Sequence, residues 1–285
     1  MAIGGTGNIA RLGAGEIREH VAGAGTTILV PLGSCERHGN PFTPIGLDSL
    51  VALALVERAA ARAGVLHAPE LPFGYAPHHV GHLGEGNGTV SLRASTYRRL
   101  VDDVVRGLVY QGFDRIVLVT LHTFNARALE SLLIPIRMQT GAFVAVFEGR
   151  ESERVGEILQ SAPGRLASDL EAALAMALLG ERFQADAYLA HGYEVHAPDW
   201  LGPSFSKLPG TGLAVSFNGS QDVVLGLHDF EFVQTVNHDE PASSAATPEK
   251  GNQLLDLMAD DLAAFVEEVK TLNVEVRERD LEWGE

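Results

Sequence analysis

The chain has 285 residues, a formal net charge of −16 at pH 7 and a single cysteine, Cys35. Its length allows one domain with a large core, and its acidic balance argues against nucleic acid or an anionic membrane as a partner. One cysteine excludes an internal disulfide framework, and no apolar stretch approaches the ~20 residues that cross a bilayer. The first residues lack the basic and apolar regions of a signal peptide, so we expect a cytoplasmic protein.

Patterns typical of strands and helices alternate along the chain. Short apolar runs predict strands over 27–32, 65–68, 115–121 and 142–147. Apolar residues at helical spacing predict helices over 49–63, 92–111, 125–139, 165–179 and 250–272. Strands this apolar, separated by helices, predict an α/β fold: a three-layer sandwich with a mainly parallel central sheet that is covered on both faces.

Residues 186–236 contain glycine, proline and aromatic residues without clear periodicity. Long irregular stretches inside compact α/β chains are usually functional. We therefore expect a single domain over 1–285, in which 186–236 form an insertion that acts as a lid, a hairpin or an oligomer contact.

The segment after the first predicted strand carries three side chains of metal-ligand type. Glu36 and His38 are two residues apart, so in extended backbone both side chains leave the same face, and Asp48 opens the next helical pattern. Two oxygen donors and one nitrogen donor suit zinc, manganese or iron(II) better than calcium. The alternative is a solvated loop in which Asp48 only caps the helix.

A second segment is expected to reach the same place. His122 follows the strand predicted over 115–121, as Glu36 and His38 follow the strand over 27–32. In open α/β sheets ligands lie beyond the carboxyl ends of the strands, so these side chains are predicted to converge at one edge. A histidine at a strand end is otherwise a core or capping residue.

Several segments resemble the creatininase (creatinine amidohydrolase) family. Gly33-Ser-Cys-Glu-Arg-His-Gly39, followed by Gly46-Leu-Asp48, is similar to that family's Gly-Ser-x-Glu-x-His-Gly and Gly-Thr-Asp signature. Residues 88–92, 112–119 and 246–251 resemble its Gly-Thr-Ile-Ser-Leu, Gly-Phe-x-x-Ile and Ala-x-x-Glu-Lys-Gly segments. The resemblance covers roughly residues 27–270 in the family's order.

The resemblance implies a creatininase-like fold and metal-dependent hydrolysis. By position, Glu36, Asp48 and His122 match the ligands of one metal ion, and His38 with the bridging Asp48 matches those of a second. We therefore expect one or two divalent transition-metal ions per chain, zinc, manganese or iron. Glu171 matches a glutamate of the family's His-Ala-Gly-Glu-x-Glu motif, and a catalytic role and an ordinary exposed helix position are both open for it. The family's habit of assembly implies a homo-oligomer, from dimer to hexamer.

Two departures separate this chain from creatininase itself. The family's Gly-His-Gly-Gly-Asn is here Leu121-His-Thr-Phe-Asn125, so Phe124 stands where creatininase has a metal-binding glutamate. The histidine of the His-Ala-Gly-Glu motif, the usual proton-transfer group, falls at Leu166. The resemblance therefore implies a divergent member that does not act on creatinine and uses another acid.

Histidines elsewhere in the chain are candidates for that acid. His79 aligns with a histidine common in the family and is the first choice for a catalytic role. The other candidates are His78, His82, His191 and His196.

Three residues around the start of the predicted helix 125–139 are expected to contact the substrate. Asn125, which matches the family's asparagine, and Arg127 are placed to orient a polar or anionic group. Phe124 should make this part of the pocket apolar.

We expect the ligand of this protein to be a small molecule, and three functional classes stay open. The first is hydrolysis of a small cyclic or linear amide, other than creatinine, by metal-activated water. The second is a metal-dependent ring-opening C–C hydrolase that acts on an oxidised cyclitol or another diketone. The third is a non-catalytic binding protein on the same fold.

Overall fold

The computed structural model describes residues 7–23, 25–149, 153–207, 214–237 and 244–279. Its central sheet has four strands, paired in the order β2-β1-β3-β4, and every pair is parallel. The strands are β1 (Thr27–Pro31), β2 (Leu66–His67), β3 (Arg115–Thr120) and β4 (Phe143–Glu148). All four lie where the apolar runs predict them.

Helices occupy the connections between the strands. They are α1 (Ala14–Gly23), α2 (Leu47–Ala63), α3 (Ala94–Tyr110), α4 (Thr123–Thr140), α5 (Glu153–Leu159), α6 (Leu166–Leu179), α7 (Ala185–Leu189), α8 (Asp229–Phe232) and α9 (Pro248–Thr271). The five predicted helices are confirmed as α2, α3, α4, α6 and α9, and their ends shift by at most two residues. The sequence patterns did not reveal α1 and α5.

Local signals set the ends of these helices. Gly64 and Gly141 end α2 and α4 in the left-handed conformation, with φ of 63° and 75°, which glycine adopts without a Cβ penalty. Helix α9 begins after Thr247, whose hydroxyl accepts a hydrogen bond of 3.2 Å from the Lys250 amide. Such a cap satisfies one of the free amides at a helix start.

Alternate strand residues face opposite layers of helices. Leu29 and Val117 pack in one cluster with α2, α6 and α9. Ile28 and Ile116 pack in a second cluster with α3 and α4. Because both faces of the sheet are covered, the middle of each long strand is a continuous apolar run. The predicted three-layer α/β fold is confirmed.

The irregular stretch 186–236 folds mainly as short antiparallel strands. β5 (His191–Val195) pairs with β9 (Val233–Asn237), and β6 (Phe205–Lys207), β7 (Ala214–Phe217) and β8 (Gln221–Val224) form a three-stranded sheet. A small cluster of its own contains Val215, Leu227 and Phe232. Strands of three to five residues show too few alternations for a sequence pattern. The single-domain boundary 1–285 stays a prediction.

No helix in the described ranges is long and apolar enough to cross a membrane.

Candidate metal centre

The candidate ligands lie at the carboxyl ends of β1 and β3. Glu36 and His38 belong to the loop after β1, and His122 directly precedes α4. The loop is fixed by backbone bonds, among them the Glu36 amide to the Ile45 carbonyl at 2.7 Å. Asp48 lies in the first turn of α2, where Gly46 holds the N-cap position. The carboxylate of Asp48 is therefore free to face the other ligands.

The four predicted metal ligands come together. Donor atoms of Glu36, His38 and Asp48 all lie within 4.8 Å of one another. Nδ1 of His122 lies 2.9 Å from Oε1 of Glu36 and 3.6 Å from Oδ2 of Asp48. Their side chains are at most 13% exposed. Glu36 and His122 are buried, and His38 and Asp48 are partly buried. Two carboxylates and two imidazoles at this spacing form a donor set that suits a transition metal.

Neighbouring groups orient these ligands. His122 Nε2 donates to the Tyr75 carbonyl at 2.9 Å, so Nδ1 faces Glu36 and Asp48. The Ser34 hydroxyl donates to Glu36 Oε2 at 2.7 Å. His38 Nδ1 lies 3.4 Å from Glu171 Oε1, while its buried Nε2 has no hydrogen-bond partner in the described part of the chain. Outer contacts of this kind are usual around metal-binding histidines and carboxylates.

Mutual burial shifts the pKa values of these groups. Burial raises the pKa of Glu36, but the adjacent histidines, His122 first, outweigh it and hold the pKa well below its usual range. Burial lowers the pKa of His38, whereas Glu171 and Asp48 raise it to about 10. The pKa of Asp48 is raised, mainly by burial and to a smaller extent by the negative charge of Glu36. The two carboxylates are therefore stabilised by positive charge close to them, and a divalent cation between these side chains would supply that charge.

The residues present fit a metal ion, but Phe124 adds nothing to the donor set. Its ring lies 4.1 Å from the ring of His78, and it lines the cavity beside His122. A phenyl ring has no lone pair for coordination. The cluster in the described residues is thus centred on Glu36, His38, Asp48 and His122.

His79 joins the cluster through a partner that the sequence analysis missed. Its Nδ1 lies 2.6 Å from Oδ2 of Asp229, which is 3% exposed, and its Nε2 lies 3.8 Å from Oε1 of Glu36. Arg37 Nε approaches the same Asp229 oxygen at 3.9 Å. Asp229 begins α8 in the irregular stretch, where no sequence signal marked it.

The other candidate histidines have different surroundings. His78 Nδ1 bonds the Leu227 carbonyl at 2.7 Å, and His191 Nδ1 bonds the Ala187 carbonyl at 2.8 Å. His82 stacks on the exposed ring of Phe230, with ring centroids 4.1 Å apart. These contacts leave His79 as the histidine of this set that lies closest to the ligands.

Glu171 supports His38. Its carboxylate lies 3.4 Å from His38 Nδ1 and accepts a hydrogen bond of 3.3 Å from the Thr43 hydroxyl. Its side chain is 25% exposed. Of the two alternatives left by the sequence, an ordinary exposed helix position does not describe it. Leu166, at the start of the same helix, packs against the apolar core instead.

Asn125 has a different position from the one predicted for a substrate contact. Its side chain is fully buried and donates to the Gly33 carbonyl at 2.9 Å and to the Thr120 hydroxyl at 3.3 Å. Its oxygen accepts the Tyr75 amide at 2.9 Å. Asn125 therefore ties these segments together and is not among the lining residues of the two cavities described below. The substrate contact of Asn125 stays a prediction.

Two cavities adjoin the cluster and share the walls formed by His38, Asp48, Leu121, Thr123 and Glu171. The apolar cavity has a volume of about 350 Å³, and its other lining residues are Leu47, Val51, Gly149, Ala167, Leu170 and Leu174. The polar cavity has a volume of about 320 Å³ and is named for the charged and imidazole side chains that line it alone, which are Glu36, His79, His122, Arg127 and Asp229. Its remaining lining residues are Gly39, Phe124, Tyr193, Val195, Phe232 and Val233. Gly39 packs so closely on the Tyr193 ring that an added Cβ would lie 2.7 Å from it.

Comparison with known proteins agrees with this architecture. The family model for creatininase, described as creatinine amidohydrolase, matches residues 10–266. Creatinine amidohydrolase from Pseudomonas putida is 33% identical over 114 residues, which are 39% of this chain and 43% of that protein. Mycofactocin precursor peptide peptidase from Mycobacterium ulcerans (strain Agy99) is 31% identical over 122 residues, which are 40% of this chain and 46% of that protein. The chain thus spans less than half the length of these two relatives.

A solved structure of manganese creatininase has the same fold. It superposes with a TM-score of 0.67 and 22% sequence identity, covering 94% of this chain and 100% of that chain. Similarity at this level supports the fold, and the family model extends over most of the sequence. The chain is a divergent member of the creatininase family.

Proposed function

We propose that this chain is a metal-dependent hydrolase that cleaves the C–N bond of a small cyclic or linear amide other than creatinine. The observation that carries the proposal is the convergence of Glu36, His38, Asp48 and His122 on one cavity wall. The names of both curated relatives, an amidohydrolase and a peptidase, describe hydrolysis of amide bonds.

The cluster would hold one or two divalent transition-metal ions. Glu36, Asp48 and His122 offer one set of donors, and His38 with Asp48 offers a second. A bound ion of this class polarises a carbonyl and lowers the pKa of a water molecule. Because Phe124 has no donor atom, the second set depends more on His38, whose orientation Glu171 maintains.

His79 is proposed to move the proton. Asp229 holds Nδ1 at 2.6 Å, so Nε2 faces the cluster and the polar cavity. An imidazole fixed by a carboxylate can take a proton from the attacking water and deliver it to the leaving nitrogen. This role replaces that of the family histidine that is Leu166 here.

The pocket argues against creatinine as substrate. Phe124 and Leu166 occupy the positions at which creatininase, by family resemblance, has a metal-binding glutamate and a proton-transfer histidine. Phe124 lines the polar cavity, and Leu166 packs into the core. Both replacements remove polar groups that the creatinine reaction uses.

The test is a panel of lactams, hydantoins, formamides, N-acyl amino acids, oxidised cyclitols and creatinine, assayed with and without a chelator. We expect chelator-sensitive cleavage of an amide and none of creatinine. Asp48→Asn should abolish turnover, whereas Asp103→Asn on an exposed helix position should retain it. Turnover that survives complete metal removal would falsify the proposal, and cleavage of cyclitols alone would favour the C–C hydrolase.

A further inference from the structure

The apolar cavity adjoins the ligands, and His79 is not among its lining residues. Leu47, Val51 and Leu174 form its buried walls, each at most 3% exposed. His38, Asp48 and Glu171 form its polar end, so the cavity reaches the cluster. Its volume of about 350 Å³ lies within the range of small-molecule pockets. An apolar group placed there would lose its contact with water while a carbonyl attached to it lies at the cluster.

The polar cavity has the guanidinium group of Arg127 in one wall. Each carboxylate that lines it lies close to an imidazole. Asp229 lies 2.6 Å from His79 and Glu36 lies 2.9 Å from His122. Glu171 lies 3.4 Å from His38 and Asp48 lies 3.6 Å from His122. Arg127 makes no ion pair with any residue in the described ranges. Its guanidinium carbon lies 5.8 Å from the centroid of the Phe124 ring, which holds the charge at the cavity wall. This wall is suited to an anionic group of a ligand.

We propose that the substrate is an N-acyl amino acid with an aliphatic acyl chain. The chain lies in the apolar cavity, the amide lies at the cluster, and the carboxylate of the amino acid meets Arg127. The orientation follows from His79, which lines the polar cavity and therefore faces the leaving amine. This assignment rests on the proposed amide hydrolysis and names its substrate class.

The reaction consumes one water molecule. Its oxygen forms a bond to the acyl carbon and the C–N bond breaks. One proton of the water goes to the leaving nitrogen by way of His79. The products are an aliphatic carboxylic acid and a free amino acid, so no oxidant or second co-reactant is needed.

Binding can be tested without turnover by using sulfonamides, which replace the scissile carbonyl. The probes are N-(hexylsulfonyl)glycine, N-(methylsulfonyl)glycine and N-(hexylsulfonyl)glycinamide, titrated into metal-loaded protein by calorimetry. Each buried methylene contributes up to roughly fourfold in affinity, so the hexyl probe should bind at least about tenfold more tightly than the methyl probe. The carboxylate probe should bind about fivefold more tightly than its carboxamide.

Three variants at two positions separate the two contacts. Ala167→Phe fills the apolar cavity from the first turn of α6 and should remove the preference for the hexyl chain, while affinity for the methyl probe stays as in wild type. Arg127→Gln should remove the preference for the carboxylate, and Arg127→Lys should restore part of it. The methyl and carboxamide probes also report correct folding of each variant.

The outcomes distinguish this inference from the proposed function. Equal affinity for hexyl and methyl probes, or a carboxylate preference that survives Arg127→Gln, would overturn the substrate assignment even if another amide is hydrolysed. A different result would be the expected probe preferences without metal-dependent cleavage of N-hexanoylglycine or any other amide. That result would overturn the hydrolase function and leave the two binding contacts supported.

Discussion

His79 Nδ1 lies 2.6 Å from Asp229 Oδ2, although 150 positions separate the two residues in the chain. With the Nδ1 proton directed at the carboxylate, the second ring nitrogen faces Glu36 Oε1 at 3.8 Å. Carboxylates orient imidazoles in this way both for proton transfer and around metals. The pair therefore joins the irregular stretch 186–236 to the centre formed by the parallel sheet.

Replacing Asp48 should remove bound metal. Asp48→Asn removes a carboxylate oxygen that belongs to both donor sets. The wild-type protein should hold one to two equivalents of metal per chain, and the variant should lose most of this metal. Elemental analysis after dialysis measures this, with Asp103→Asn as the exposed control. Equal metal content in wild type and Asp48→Asn would show that the cluster is not the metal site.

Replacing His79 should slow the reaction without removing metal. A general acid contributes a factor of about 10²–10⁴ to the rate, so His79→Asn should lower kcat within that range. Asp229→Asn should lower kcat in the same direction because the imidazole loses its orientation. His82→Asn, whose ring stacks on Phe230 at the surface, is the control. Metal loss in His79→Asn would instead identify His79 as a ligand.

Replacing Asn125 should destabilise the fold. Asn125→Ala leaves the buried Gly33 carbonyl and the Tyr75 amide without their partners, at about 1–3 kcal/mol for each group. Urea unfolding should therefore show a loss of about 2–6 kcal/mol. Asn252→Ala, at an exposed position of α9, should change stability little. A raised KM with unchanged stability would instead support the predicted substrate contact of Asn125.

Tyr97 gives a stability prediction with a pH dependence. Its hydroxyl is buried and has no hydrogen-bond partner among the residues that the structure describes, and burial raises the pKa of the phenol. In the unfolded chain the phenol has its ordinary pKa of about 10. Because the pKa is higher in the folded state, the phenol contributes stability below pH about 10, and this contribution is lost progressively as the pH rises above that value. At pH 11 the loss is about 1.4 kcal/mol, which Tyr97→Phe should avoid.

The matched control is Tyr188, whose hydroxyl donates to the Ser168 carbonyl at 2.9 Å. At neutral pH, Tyr188→Phe should cost about 1 kcal/mol, whereas Tyr97→Phe should be neutral or stabilising. Urea unfolding at pH 8 and pH 11 measures both differences. Equal destabilisation by the two substitutions at pH 8 would contradict the assignment of Tyr97.

The chain is expected to assemble as a homo-oligomer, with part of 186–236 at an interface or over the cavities. Trp200 and Val224 in this stretch are 62% and 75% exposed, which suits a contact surface. Light scattering at micromolar concentration should give a multiple of 30.4 kDa. A single mass near 30.4 kDa would rule the oligomer out.

Several structural features could be predicted because they depend on short segments. The apolar run of β1 and the helical spacing of α3 are local patterns, and both elements lie where these patterns place them. Glu36, His38 and His122 were predicted to meet because the ends of parallel strands share one edge of a sheet. Short elements such as α5 carry too few residues for a clear period.

The sequence by itself determined the apolar strands and the main helices, since their periodicity lies in consecutive residues. It also singled out the four candidate ligands, through their spacing after two predicted strands and their resemblance to the family's motifs. Only the tertiary structure decided which polar side chains line the cavities and which are buried away from them. Asp229 reaches His79 from a remote segment of short strands, and Asn125, in the family motif, is fully buried with backbone partners. Burial and pairing between distant segments depend on how the layers pack, and no local pattern records that packing.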